Sequence, residues 1–292
     1  MRNIFMLGMV LTISFALMLT SCKKEEIHIN GDGNGNTENP GGGGPVTPNQ
    51  EYPSTAVVLP QAVTDIDGNT YDAVQIGEQV WMAQNLRTTR YADGTSISMG
   101  SGGGDTEPYR YAPGPNQSNE ENMDSVARYG YLYNWPAVMH GESNSEANPS
   151  GVQGICPDGW HVPSDAEWTQ MIDYMATQPQ YMASGNADHL AKALASTFGW
   201  DSSDEMDTPG NNPDANNATG FSALPTGLFL SGNDNSFGIL ARFWTSTENR
   251  DMYISNMYIA AYGYHLGFDN AQIHRSENYS KKCGFSVRCV RD

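Results

Sequence analysis

Basic residues are scarce in this chain. Across 292 residues, 15 Lys and Arg stand against 33 Asp and Glu, a formal net charge of −18 at pH 7. So acidic a surface argues against nucleic acid and against bare anionic lipid as partners, and suits solubility outside the cell or cation binding. Histidine is sparse too, with six in all. His140, His161, His189, His265 and His274 are scattered, with no His-Glu-x-x-His or comparable metal-ligand spacing. No Ser-His-Asp set, no paired catalytic carboxylates and no internal repeat stand out. Long apolar runs are missing except at the N-terminus, where Ile4 to Leu19 is almost wholly apolar but too short for a stable membrane span.

That apolar run reads as a signal peptide. Arg2 supplies its positive start, and Leu19-Thr20-Ser21-Cys22 has the lipobox pattern of a branched apolar residue, two small residues and a cysteine. The expected product begins at Cys22, its thiol carrying diacylglycerol. Several acyl chains anchor far more firmly than one, at about 0.8 kcal/mol per buried CH₂. Removing residues 1–21 removes one positive charge, so the mature chain carries 14 − 33 = −19. Lys23-Lys24-Glu25-Glu26 resembles the charged tags that send bacterial lipoproteins to the outer face of the outer membrane. From Asn30 to about Tyr52, glycines 41 to 44 and Pro40, Pro45 and Pro48 exclude a core. Residues 22–56 read as a flexible tether, whose twenty-odd coil-like residues span roughly 25 Å.

The folded part is expected at 57–292. Thr64 to Tyr71 reads as strand, turn, strand, with Asp67-Gly68-Asn69 supplying the positive φ of a tight hairpin. Asp65-x-Asp67-Gly68-Asn69 also opens like a calcium loop, but the later acidic ligand is missing and the hairpin reading is favoured. A second hairpin turns at Gly77-Glu78, with Val74, Ile76, Val80 and Met82 alternating along its strands. Residues 98–123 read as loop. The aromatic run Arg128 to Trp135 reads as core packing rather than a sugar-stacking platform. Ser164-Asp165-Ala166-Glu167 is a capping box, and Trp168, Met171, Ile172 and Met175 make one helix face. A second helix is expected over about 187–198, with Leu190, Leu194 and Phe198 as its stripe and Gly199 as its stop. Between Trp200 and Thr219 lie Asp201, Asp204, Glu205, Asp207 and Asp214. They form an acidic loop read as solvated, with ion or ligand binding as the alternative. Strands are expected at 221–230, 239–246, 253–264 and 284–291. Hairpins, two helices and then an antiparallel sheet make an α+β pattern.

Several blocks resemble a known family. Trp81-Met82-Ala83-Gln84-Asn85-Leu86, Tyr91-Ala92-Asp93-Gly94 and Tyr129-Gly130-Tyr131-Leu132-Tyr133-Asn134-Trp135 come first. Cys156-Pro157-x-Gly159-Trp160-His161-Val162-Pro163-x4-Trp168, Gly220 to Pro225, Phe243 to Glu248 and Phe285 to Val290 follow. In this order they resemble the Fibrobacter succinogenes major paralogous domain (FISUMP), common in surface lipoproteins. The Gly-Trp-His-Val-Pro block also resembles a block of formylglycine-generating enzymes, whose core is C-type-lectin-like. The resemblance implies a C-type-lectin-like fold and a Cys156–Cys289 disulfide. The sugar-calcium signatures of lectins are absent, and Glu248-Asn249 is the nearest echo. By count alone, once Cys22 is lipidated, Cys156, Cys283 and Cys289 allow one disulfide and leave one thiol, and Cys283 stands out as the extra one.

The expected function is a non-catalytic binding or adhesion module, lipid-anchored in the outer membrane and facing outwards, for glycan or protein ligands. No cofactor is expected, calcium being the one alternative. A structural or tip subunit of a surface assembly is a second reading. A copper oxidase related to the formylglycine-generating group is a third, resting on Cys283 and Cys289 lying six apart.

Overall fold

The computed structural model describes residues 52–100, 106–114, 122–230, 236–254 and 257–292, without the side chains of 252–258. Cys22 and most of the tether therefore lie outside the described residues. Among the described residues, no helix is long and apolar enough to cross a membrane.

The two hairpins form as expected. Strands β1 (Val57–Thr64), β2 (Thr70–Ile76) and β3 (Gln79–Met82) pair antiparallel in sequence order. Gly68 takes φ +83° at the first turn, which a residue with a Cβ adopts only under strain. Asp65 holds that turn from within: Oδ1 accepts from the Asp67 and Asn69 backbone N–H groups at 3.0 and 2.9 Å, and Oδ2 from the Tyr71 hydroxyl at 2.6 Å.

Short strands β4 (Ser98–Met99), β5 (Tyr109–Tyr111) and β6 (Leu132–Tyr133) form a small separate sheet. Two helices beside it, α1 (Met123–Tyr129) and α2 (Trp135–Met139), begin at Asn122 and Asn134, whose side chains accept from Ser125 and Ala137 N–H. Strand β7 (Trp160–His161) leads into helix α3 (Asp165–Met175), where both halves of the expected capping box are present. After α4 (Ala191–Leu194) the chain runs irregularly to β8 (Leu240–Ile254), β9 (Met257–Gly267) and β10 (His274–Ser280), an antiparallel three-stranded sheet. Finally β11 (Val290–Arg291) inserts between β3 and β7 and completes a five-stranded sheet. The architecture is mixed α+β with mostly antiparallel sheets.

Two large apolar clusters, and a small one of Tyr111, Leu132 and Phe229, support these sheets. Trp81, Trp168, Phe221, Phe243 and Tyr264 form one, with Trp81 and Trp168 edge-to-face at 5.0 Å and Trp168 stacked on Tyr264 at 4.8 Å. Full burial of each large side chain contributes roughly 1.5–3 kcal/mol. The other contains Tyr131, Tyr133, Trp244, Phe285 and the Cys156–Cys289 disulfide. From Tyr131 to Trp135 the aromatic run is thus buried, as read from the sequence, while Arg128 is exposed and Tyr129 half-buried.

Four expectations change. Residues 98–123, expected as loop, contribute β4 and β5, which pair with each other, β5 also pairing with β6. The second helix shrinks to Ala191–Leu194, and Phe198 lies on the surface. Its carbonyls are taken by the loop packed against it: Asn217, Thr219 and Ala223 N–H donate to Lys192, Ala193 and Leu194. The expected strand at 221–230 is irregular, with single bridges at Ala223 and Phe229. Ser222 and Gly227 have positive φ and Pro225 lacks a donor, so the run cannot stay extended. Residues 284–289 likewise make single bridges before β11.

Candidate functional site

The acidic loop and the chain ahead of α4 together border an open pocket of about 280 Å³. Tyr181, Met182, Ser184, Lys192, Asp207 and Ala215 line it. Two single 3₁₀ turns, Pro179–Tyr181 and Ala183–Gly185, shape one wall. Ser184, Asp207 and Asn212 all adopt left-handed backbone, with φ of 50°, 66° and 49°. Asp and Asn adopt this backbone more readily than other residues with a Cβ, so Ser184 is the more strained of the three.

Asp207 is the polar centre of that wall. The Ser184 hydroxyl donates to Oδ1 at 2.6 Å, and His189 Nδ1 lies 2.9 Å from Oδ2. The Ser184 hydrogen bond, then His189, hold the Asp207 carboxyl below the usual aspartate range. Across the pocket, Lys192 Nζ donates to the carbonyls of Thr208, Asn211 and Asn212. Burial lowers the Lys192 pKa, and Asp207 partly opposes that. Backbone 208–212 is therefore wrapped around an ammonium, so carbonyls that could face a bound cation already face one.

The five carboxylates predicted as an ion or ligand loop are not brought together. Asp207 turns into the pocket wall, while Asp201, Asp204, Glu205 and Asp214 are exposed. Among the described residues, no three His, Cys, Asp or Glu converge as a metal cage. Asp65 and Asp67 likewise spend their oxygens on protein donors. Arg90 Nε and Thr89 N reach Asp67 at 2.7 and 2.5 Å.

Cys156 and Cys289 form the expected disulfide, with Cα atoms 5.9 Å apart. Cys283, the cysteine left over by that pairing, is fully buried. Cys289 is committed to Cys156, so Cys283 and Cys289 are not a paired dithiol.

Two polar features escaped the sequence reading. Arg288 is 1 % exposed and donates to Asn85 Oδ1 and to the carbonyls of Met82, Phe221 and Ser222 at 2.6 to 2.9 Å. His161, also buried, sits between Glu167 Oε1 and Asp292 Oδ1, each 2.7 Å away. Burial opposes charging of His161, but the two carboxylates outweigh it and raise its pKa. The signal for Arg288 was its place in an otherwise apolar strand, Phe285-Ser286-Val287-Arg288-Cys289-Val290. The signal for His161 was the nearby Glu167, hidden by that residue's capping role.

No curated protein and no solved structure matches the chain. The family model described as the Fibrobacter succinogenes major domain matches residues 74–291. That is most of the sequence, and the chain belongs to this family.

Proposed function

We propose that the chain is a lipoprotein held by Cys22 on the outer face of the outer membrane. Its tether, residues 22–56, carries a C-type-lectin-like domain, residues 57–292, that binds an extracellular glycan or protein without catalysing a reaction. One observation carries the binding reading: the pocket at Ser184, Lys192 and Asp207 has a wall held in strained, non-glycine backbone and a pre-oriented carboxylate. A carboxylate fixed in this way accepts hydrogen bonds from hydroxyl or amide donors, which suits sugar rings and peptide groups alike. The ammonium inside the loop supports a site that works without calcium.

Two experiments test the two halves. Arrays of immobilised glycans and extracellular proteins, probed with the wild-type chain and with Asp207→Asn, should show binding that the substitution weakens at least about tenfold, roughly 1.4 kcal/mol. Signal no greater than that of an acid-matched control protein, or equal signal from both chains, counts against the pocket. For the anchor, fatty-acid labelling should disappear in Cys22→Ser, and protease added to intact cells should remove the wild-type domain. A protected domain would place it on the inner face.

A further inference from the structure

Glu248 lies in a stretch of β8 where the ladder slips. Trp244 pairs with Gly263 and Glu248 with Ala261, so four steps on β8 match two on β9. Such bulges re-aim side chains, and here the Glu248 carboxylate meets two groups from distant segments. One oxygen receives Lys281 Nζ; the other accepts from Asn144 Nδ2 at 3.2 Å. The Lys281 and Glu248 side chains are only 10 % and 11 % exposed, and Lys281 Nζ lies 4.1 Å from the centre of the Trp135 ring.

The surrounding backbone holds all three residues in place. Ser145 N–H donates to Ser246 O, and the Thr247 hydroxyl donates to Ser145 O at 2.8 Å, fixing the Asn144 segment against β8. Trp135 N–H donates to Lys281 O, and Lys281 N–H to Ile259 O. Arg250 Nη2 donates to Asn144 Oδ1 at 3.3 Å, aimed at the carbonyl oxygen that would gain charge under nucleophilic attack.

We propose that Lys281 and Asn144 react with each other to form an intramolecular isopeptide bond, with Glu248 as the proton carrier. Lys281 Nζ passes a proton to the Glu248 carboxylate and becomes a neutral amine. That amine attacks Asn144 Cγ, forming the new C–N bond, while the guanidinium of Arg250 stabilises the oxyanion. Protonated Glu248 then delivers its proton to the departing amide nitrogen, the old Cγ–Nδ2 bond breaks and ammonia leaves, while the regenerated Glu248 carboxylate takes the surplus proton from the new amide nitrogen and passes it to the departing ammonia. The step is a transamidation, with no oxidant or reductant, and its atoms balance as amine plus carboxamide giving secondary amide plus ammonia. Burial lowers the Lys281 pKa, though Glu248 opposes it, so the neutral amine costs less here than in water. The product would tie the segment after α2 to the end of β10, across β8, a covalent staple independent of the ligand pocket.

Mass spectrometry of the folded full-length chain tests this directly. The wild type, held at neutral to mildly alkaline pH, is expected to weigh one ammonia less than its sequence with disulfides counted. Proteolysis should release a branched peptide joining Asn144 to Lys281. Glu248→Gln removes the proton carrier, and Lys281→Arg keeps a cation in place that cannot become a nucleophile. Both should show the full mass and no branched peptide, with circular dichroism confirming that each still folds. A wild-type chain that keeps its full mass overturns the proposal. So does an ammonia loss without the branched peptide, or a branched peptide that persists in Lys281→Arg.

Discussion

At the residue scale, one buried and one half-buried cation organise this molecule. Arg288 points its donors at carbonyls of separate segments and Lys192 at three carbonyls of loop 208–212, and each replaces regular secondary structure as the partner for those carbonyls. Replacing Arg288 with Met should orphan acceptors that each cost about 1–3 kcal/mol when left unpaired, so a loss of about 3 kcal/mol or more is expected in urea unfolding. A loss below about 1 kcal/mol would mean that water substitutes fully. Lys192→Met should loosen loop 208–212 and expose its amides to hydrogen exchange. Added calcium should not restore protection, because the described carboxylates do not converge there. Restoration by calcium would show that the ammonium occupies a latent metal site.

At the element scale, capping explains which short helices form. Helix α3 was legible because a capping box precedes a clear apolar face, and Ser164→Ala should cost about 1 kcal/mol in thermal or denaturant unfolding. Helices α1 and α2 are too short to show a 3.6-residue period and were not read from the sequence; their asparagine caps were the one local signal. Helix α4 was overestimated because its apolar spacing continues past Leu194, while its last carbonyls are claimed by residues far along the chain.

The cap of α3 also introduces a pH dependence. Glu167 accepts from Ser164 N and Ser150 N while facing His161. Because the folded-state pKa of His161 is raised, its stabilisation is fully present below the unfolded value of about 6.5 and lost as pH rises through the folded value. Unfolding free energies at pH 6 and pH 9 should therefore differ in the wild type, with pH 6 the more stable, and the gap should narrow in His161→Gln. An unchanged gap would assign the pH dependence to other groups.

At the scale of the whole molecule, the Cys156–Cys289 disulfide closes a separation of 133 residues and ties β7 to β11, the strand that completes the five-stranded sheet. Chain-entropy arguments put such a closure at about 4–5 kcal/mol, with measured losses more often 2–5. The double substitution Cys156→Ala with Cys289→Ala should lower the denaturant midpoint accordingly, and a midpoint within error of wild type would show that the core alone fixes β11.

Much of this architecture was written locally. Hairpin turns at Asp67-Gly68 and Gly77-Glu78, the capped start of α3 and the apolar run through Trp135 depend on neighbours within a few residues, so spacing and residue type suffice to read them. The pocket was visible only in part. The acidic loop marked where it lies, but that Asp207 turns inward while Asp201, Asp204, Glu205 and Asp214 face water depends on Ser184, His189 and Lys192, brought close by folding. The Asn144–Glu248–Lys281 meeting and the setting of Arg288 join residues from 33 to 206 positions apart. Sequence alone determined the hairpins, the main helix, the acidic surface and the family, because those rest on local periodicity, turn chemistry and ordered motifs. Tertiary structure alone decided which carboxylates meet which cations, because burial sets those pairings and burial is a property of the whole chain.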